Sequence, residues 1–305
     1  MKKRLLGVFL CVAMIVGMVA GCGSKSSDDS GNASEGEEKS KIVMGGKSFT
    51  EAYLLSEIYA LALEDNGYEV ERVYDMATDA IAPAIENGEV DIYPEYVGTA
   101  LTDILGKDME TDLEKEYEIV AEAYKEQWNI TWLDLTDMED KVVMVMKKDR
   151  AEELNVTNLT ELQKVADQLI LGYGVNFAER EDDLLRLNKI YGEFAFEVKN
   201  IDYSLAYSCL DDGSVDVIPG LSTDVQLLSD DYVVIEEDVP VWPPQYVAPI
   251  VRGEVLEANP DIADICNAVS TKITTETMIE MLDKVVNGGE EYEDVAKAFY
   301  EDNCK

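Results

Sequence analysis

One pattern in this chain occurs twice. Asn87-Gly88-Glu89-Val90-Asp91-Ile92-Tyr93-Pro94 and Asp212-Gly213-Ser214-Val215-Asp216-Val217-Ile218-Pro219 share the form x-Gly-x-Val-Asp-(Ile/Val)-x-Pro, each following an amphipathic stretch that reads as a helix. Glycine suits a helix C-cap, the Val-Asp-Ile or Val-Asp-Val centre suits a short strand, and proline ends strand pairing. A chain that repeats one helix-turn-strand junction folds into two equivalent lobes. Ligands of open α/β sheets sit beyond the carboxyl ends of strands. The loops after the two strands, Glu95-Tyr96-Val97-Gly98-Thr99 and Gly220-Leu221-Ser222-Thr223-Asp224, are therefore expected to face one shared cleft.

The rest of the folded part agrees with an α/β class and predicts mostly parallel sheets, because short apolar runs alternate with helical stretches from Lys41 onward. Ile42 to Gly45 reads as a strand. Ser48 and Glu51 have the spacing of a capping box, after which Leu54, Ile58 and Leu61 share a helical face until Asn66-Gly67. A strand over Glu69–Tyr74, a helix over Thr78–Glu86 and a strand over Val142–Met146 follow. Met144 and Met146 read as core. The acidic runs Glu114–Glu126 and Glu290–Asp294 read as solvated helix faces. At 305 residues the chain is long enough for two compact units. If the chain crosses between lobes near Trp132–Asp140 and again near Glu236–Pro244, lobe I holds residues 41–139 plus 241–305 and lobe II holds 140–240. Such a double crossing makes a hinge that closes by rigid-body motion.

The N-terminus reads as an address. Lys2, Lys3 and Arg4 precede an apolar run, Leu5 to Ala20, too short and too one-sidedly basic for a spanning helix, so residues 1–21 form a secretory signal. The run closes on Val19-Ala20-Gly21-Cys22, which looks like a bacterial lipobox with Cys22 as the lipid-bearing first residue. Residues 22–40, polar and without aromatics, read as a tether. Loss of the three N-terminal cations takes the net charge from −39 to −42, so the mature chain stands off an anionic membrane on its lipid, and nucleic acid is excluded as a partner. There is no histidine, which removes Ser-His and Cys-His catalysis and the commonest metal ligand. Cys209, Cys266 and Cys304 have no zinc spacing and read as buried or free thiols, with one pair able to bridge. No metal or cofactor is expected: Gly45-Gly46-Lys47 lacks the length of a phosphate loop, and Gly172-Tyr173-Gly174 does not continue as a dinucleotide fingerprint.

Five stretches, in one order along the folded part, carry a resemblance. Gly46-Lys47-Ser48-Phe49-Thr50-Glu51, Asp91 through Leu101 with its Tyr-Pro-Glu-Tyr-Val-Gly-Thr-Ala-Leu block, Phe177-Ala178-Glu179-Arg180-Glu181-Asp182, Ser222-Thr223-Asp224, and Pro243-Pro244 through Arg252 resemble the osmoprotectant substrate-binding proteins of ABC importers. That family, the binders of glycine betaine, carnitine and choline, has a two-lobed type II periplasmic-binding-protein fold. The resemblance implies a non-enzymatic lipoprotein that acts as a monomer outside the cell, on a Gram-positive surface. It would deliver a small zwitterionic or anionic solute to a membrane permease driven by a separate ATPase.

The resemblance also implies site residues. In the family a cage of tyrosines holds a trimethylammonium group, which cannot donate ordinary hydrogen bonds, while Lys, Thr and Arg hold the carboxylate. Tyr96 matches the first cage tyrosine, and Lys47, Thr99 and Arg180 match the carboxylate side, Arg180 being suited to a two-bond grip. The other cage positions fall on Val142, two places after Asp140, on Leu221 and on Gln245. Tyr246 follows Gln245, and Trp242 or Tyr173 offers a further aromatic face. The pocket therefore takes either a quaternary amine in a rebuilt cage or a different carboxylate-bearing solute, amino-acid-like or apolar-tailed, for which Asp140 and Gln245 supply hydrogen bonds or a counter-charge. A secreted glycosidase needs only two carboxylates beside a cleft, yet no spacing here singles out such a pair.

Overall fold

The computed structural model describes residues 39–173 and 184–305. The signal, Cys22, nearly all of the tether, and the Phe177–Asp182 stretch with Arg180 lie outside the described residues. Lys39 already belongs to the fold, because its ammonium pairs with Asp261 at 2.5 Å.

Among the described residues, ten strands form two five-stranded sheets. The first contains β1 (Lys41–Lys47), β2 (Glu69–Met76), β3 (Ile92–Tyr96), β4 (Ile130–Trp132) and β10 (Val247–Arg252) in the order β2-β1-β3-β10-β4. The second contains β5 (Val142–Lys147), β6 (Ile170–Tyr173), β7 (Glu197–Asn200), β8 (Val217–Leu221) and β9 (Tyr232–Ile235) in the order β7-β6-β8-β5-β9. The chain thus passes between sheets after β4 and again before β10. The sheets are mixed, not mostly parallel. β3 and β8 each lie between a parallel neighbour, β1 or β6, and an antiparallel one, β10 or β5. The sequence pattern exposes the helix-linked parallel half but not the strands that return from the other lobe.

The repeated octapeptide occupies the same place in both sheets. Gly88 and Gly213 turn the chain out of their helices at φ 79° and 71°, a left-handed conformation that glycine adopts without a side-chain penalty. Asp91 then accepts from the Val43 amide at 2.9 Å and from Arg252 at 3.1 Å. Asp216 repeats this on the Ile170 amide at 2.9 Å and Arg150 at 3.1 Å. Each aspartate ties the parallel neighbour to an arginine at the end of the antiparallel strand, Arg252 as the last residue of β10 and Arg150 just after β5. The prolines do not end the strands, contrary to the sequence expectation. Pro94 pairs with Pro249 and Pro219 with Met144, both within antiparallel ladders. Each lies two residues beyond its strand's register pair with the parallel neighbour, Met44↔Ile92 or Leu171↔Val217. A missing N–H is tolerated where that neighbour has already departed.

The helix Thr50–Asp65 departs from its sequence reading. Its N-cap is Phe49, no side chain caps it, and Glu51 turns inward instead of back toward Ser48. Its burial is not one stripe through Leu54, Ile58 and Leu61: Leu55, Tyr59, Ala60, Ala62 and Leu63 are buried as well, and Leu61 is only half-buried. The cause is packing on two sides, against β1 and against the C-terminal helices Asp261–Ser270, Thr275–Val286 and Tyr292–Asn303. A fully buried Leu or Ile contributes about 1.5–3 kcal/mol, so this helix anchors the first lobe. The acidic helix Leu113–Trp128 carries a second departure, because Glu116 is fully buried within an otherwise solvated run. Met144 and Met146 are fully buried core residues, as read. Cys209, Cys266 and Cys304 are free thiols, Cys266 buried and the others half-buried. Among the described residues no helix is long and apolar enough to cross a membrane.

Candidate functional site

A cavity of about 330 Å³ opens where the two sheets' loops meet. Phe49, Thr50 and Glu51, which follow β1, form one wall with Leu282 and Val286 of the helix Thr275–Val286; Asp140, Ser204, Tyr207 and residues 221 and 223–226 form the other. Both loops singled out by the repeat reach this region. Tyr96 ends β3 and donates its hydroxyl to Glu51 Oε1 at 2.5 Å. Leu221 ends β8 and lines the cavity, about one-third exposed.

The Ser222-Thr223-Asp224 block has a separate task at each residue. Ser222 staples the chain crossing, its hydroxyl donating to the Glu139 carbonyl at 2.8 Å and accepting from the Lys141 amide at 2.9 Å. Thr223 donates to Asp140 Oδ1 at 2.9 Å and stands within hydrogen-bonding reach of Glu51. Asp224 accepts from the Tyr207 hydroxyl at 2.8 Å and from the Leu221 amide at 2.9 Å, which fixes the loop's shape. Glu51 and Asp140 thus approach one hydroxyl from opposite walls. Burial raises both carboxyls above the usual range; the charge of Asp140 adds to this for Glu51, and those of Asp224 and Glu139 add to it for Asp140. Burial, followed by the Glu51 charge, also drives the Tyr96 hydroxyl well upward, so it remains a donor.

Lys47 is turned into the interior. Its ammonium pairs with Glu95, the two side chains being 4% and 0% exposed. Glu95 also accepts from the Tyr96 amide at 2.6 Å and the Tyr93 hydroxyl at 2.8 Å. The same ammonium lies 5.1 Å from the centroid of the Tyr96 ring, and Phe49 packs on that ring at 5.9 Å. The aromatic face of Tyr96 therefore already has a cation of the protein's own.

The remaining residues singled out by the sequence scatter around the cavity. Thr99 is half-buried in the short helical turn Val97–Thr99. Val142 opens β5 opposite Leu221 and packs on the second lobe's core, where Tyr173 and Trp242 are buried. Trp242 also borders a separate cavity with Lys141 and Pro244. Gln245 lies over Gly98, where an added Cβ would stand 2.5 Å from its amide nitrogen and push the Gln245 side chain aside. Tyr246 bridges to Glu139 and receives the Val97 amide on its carbonyl at 3.0 Å. Of the sequence candidates, Asp140 and Leu221 line the cavity directly. Glu51, Phe49, Thr223 and Tyr207 join them without having been singled out, although Glu51, Phe49 and Thr223 stand within the stretches that carried the resemblance. The signal for Glu51 was present but was read as a helix cap.

Comparison with known proteins agrees with this architecture. The family described as the substrate-binding domain of ABC-type glycine betaine transport systems matches residues 40–302. A carnitine transport binding protein of Listeria monocytogenes is 28% identical over 247 residues, covering 80% of each chain. A glycine-betaine-binding protein of Pseudomonas aeruginosa is 27% identical over 246 residues, covering 77% of this chain and 79% of that one. A solved structure of a glycine betaine/carnitine/choline ABC transporter protein superposes with a TM-score of 0.80 at 24% identity, over 86% of this chain and 98% of the other.

Proposed function

Because the chain belongs to the family of substrate-binding domains of ABC-type glycine betaine transport systems, we propose that it is the receptor of such an importer, tethered outside the cell by a lipid on Cys22. It captures a small solute between two lobes, expected from the sequence at residues 41–139 plus 241–305 and 140–240, with the return crossing drawn after Trp242 because Val241 and Trp242 pack in the second core, and presents the closed form to a membrane permease. The single observation that carries this reading is the cavity walled on one side by the start of the helix after β1 and on the other by Asp140 and the loop after β8, elements of the two different sheets' lobes. Its walls come from separate sheets, so motion about the two connections opens and closes it.

The ligand follows one of two readings. The first is the family's quaternary amine, held with the help of Tyr96 and its neighbours. The second keeps the import role and changes the solute. It is favoured by Leu221 lining the cavity where the family has an aromatic, and by Lys47 being paired with Glu95 instead of facing the cavity. The test is thermal melting of the purified protein with millimolar glycine betaine, carnitine, choline, amino acids and small amines. A ligand at a hundred times its dissociation constant adds about 2.7 kcal/mol to stability. A melt unmoved by any small solute, together with failure of the protein to recover a permease from membranes, would refute the receptor reading.

A further inference from the structure

The cavity's charge specifies a ligand class, given the receptor reading above. Among the described lining residues three carry carboxyls, Glu51, Asp140 and Asp224, and none is a lysine or arginine. Asp224 is engaged by the Tyr207 hydroxyl from the helix Ala206–Asp211 and by the Leu221 amide. Among the described residues, Glu51 and Asp140 are bonded through hydroxyls alone, from Tyr96 and Thr223, and each retains acceptor capacity beyond those bonds. Of the described bases nearby, Lys47 is engaged by Glu95, and Lys141 by Glu139 and Glu237 at 3.4 and 3.6 Å. The one cage tyrosine that matches the family, Tyr96, has its ring 5.1 Å from the Lys47 ammonium and packed by Phe49, and the residue is 4% exposed.

We propose that this cleft selects a small ammonium ion that still carries N–H bonds, a primary or secondary amine, with its donors divided between Glu51 and Asp140. Two buried carboxylates require donors as well as positive charge. An –NH3+ group supplies three N–H bonds, whereas a trimethylammonium group turns methyls toward both carboxylates and leaves their acceptor sites unmatched. Phe49, Leu221, Leu282 and Val286 cover the ligand's carbon body. The pair is faced by Tyr96 from β3, by Thr223 and Asp224 after β8, by Glu139 and Lys141 on either side of Asp140, and by the Lys47–Glu95 pair beside the Tyr96 ring. Burial holds part of the pair protonated near neutral pH, so an entering cation displaces protons, and binding releases them to the buffer.

The experiment is titration calorimetry of the purified protein, in two buffers of different ionisation enthalpy, with matched methylated and unmethylated probes. The pairs are ethanolamine and choline, glycine and glycine betaine, and 4-aminobutyrate and its N-trimethyl form. The expected result is at least tenfold tighter binding of the unmethylated member in one or more pairs, with proton release. Glu51→Gln and Asp140→Asn should each remove at least tenfold of that affinity, while unliganded melting stays at or above wild type. Tighter binding of the trimethylated member in every pair overturns the amine class and leaves the receptor reading intact. An amine preference that survives both substitutions overturns it as well. If no probe of either kind binds, the amine class is overturned, and the receptor reading is decided separately by recovery of a permease from membranes.

Discussion

Glu116 offers a quantitative test of how this fold treats buried charge. It is fully buried on the helix Leu113–Trp128, and neither carboxyl oxygen has a hydrogen-bond partner among the described residues. Burial, reinforced by the charges of Glu110 and Glu139, raises it from the usual 4.5 to about 8. A carboxyl raised in the folded state contributes fully below its unfolded value, and that contribution is lost as pH rises toward the folded value. The loss therefore runs from about pH 4.5 to about pH 8. At pH 7 the unfolded chain ionises Glu116 and the folded chain does not, a penalty of ~3 kcal/mol at 1.36 kcal/mol per pH unit. Glu116→Gln removes the ionisable proton and keeps the shape. The variant should unfold in urea with a stability near wild type at pH 4.5 and ~3 kcal/mol above it at pH 7, equivalent to about 6–12 °C in melting temperature. All other acids titrate alike in both proteins, so their difference isolates this one. A gap between variant and wild type that does not change with pH would refute the reasoning.

Further outcomes follow from the same physical rules. Lys47→Met and Glu95→Gln each leave one member of a buried pair without its partner and should each destabilise by about 3–5 kcal/mol; the double variant should recover more than half of the summed loss, read by chemical denaturation. Asp91→Asn and Asp216→Asn each weaken a charge-assisted backbone bond and an arginine contact, so each should cost about 1–3 kcal/mol in the same assay, and similar values for the two are expected from their shared geometry. Because the three described cysteines are free, a reductant should leave the melting temperature unchanged. A thiol reagent should modify Cys266 last, its thiol being buried and pushed up to about 12.

The sequence discloses the frame of this fold better than its contacts. Gly88 and Gly213 were legible because left-handed turns have few occupants, and β1 and β5 because their runs are apolar. The antiparallel strands β9 and β10 were not placed, since register with a distant partner leaves no local mark. Glu51 was misread for a related reason. At three residues after Ser48 it has cap spacing, but the hydroxyl that claims it belongs to Tyr96, 45 residues later. Lys47 likewise finds its partner 48 residues away in Glu95. Both outcomes depend on β3 lying beside β1, which no local pattern states. Glu116 illustrates the limit of charge patterning, because one member of a solvated acidic run is buried by how its helix packs.

The two kinds of information have different fates in a two-lobed protein. The Gly-x-Val-Asp device recurs because it solves the same problem in each lobe: ending a helix, starting a central strand, and tying that strand's neighbours together through one aspartate and one arginine. Its product is a pair of strand ends aimed at a common cavity. The residues that then meet there are not repeats of one another. Glu51 comes from the start of the helix after β1 and Tyr96 from the end of β3, while Asp140, Thr223 and Asp224 come from the crossing and from the loop after β8. A cleft assembled in this way can change its solute without disturbing either lobe, because substitutions at Val142, Leu221 or Gln245 touch neither aspartate clamp. Ligand choice in this chain is therefore set where the lobes differ, and its fold where they agree.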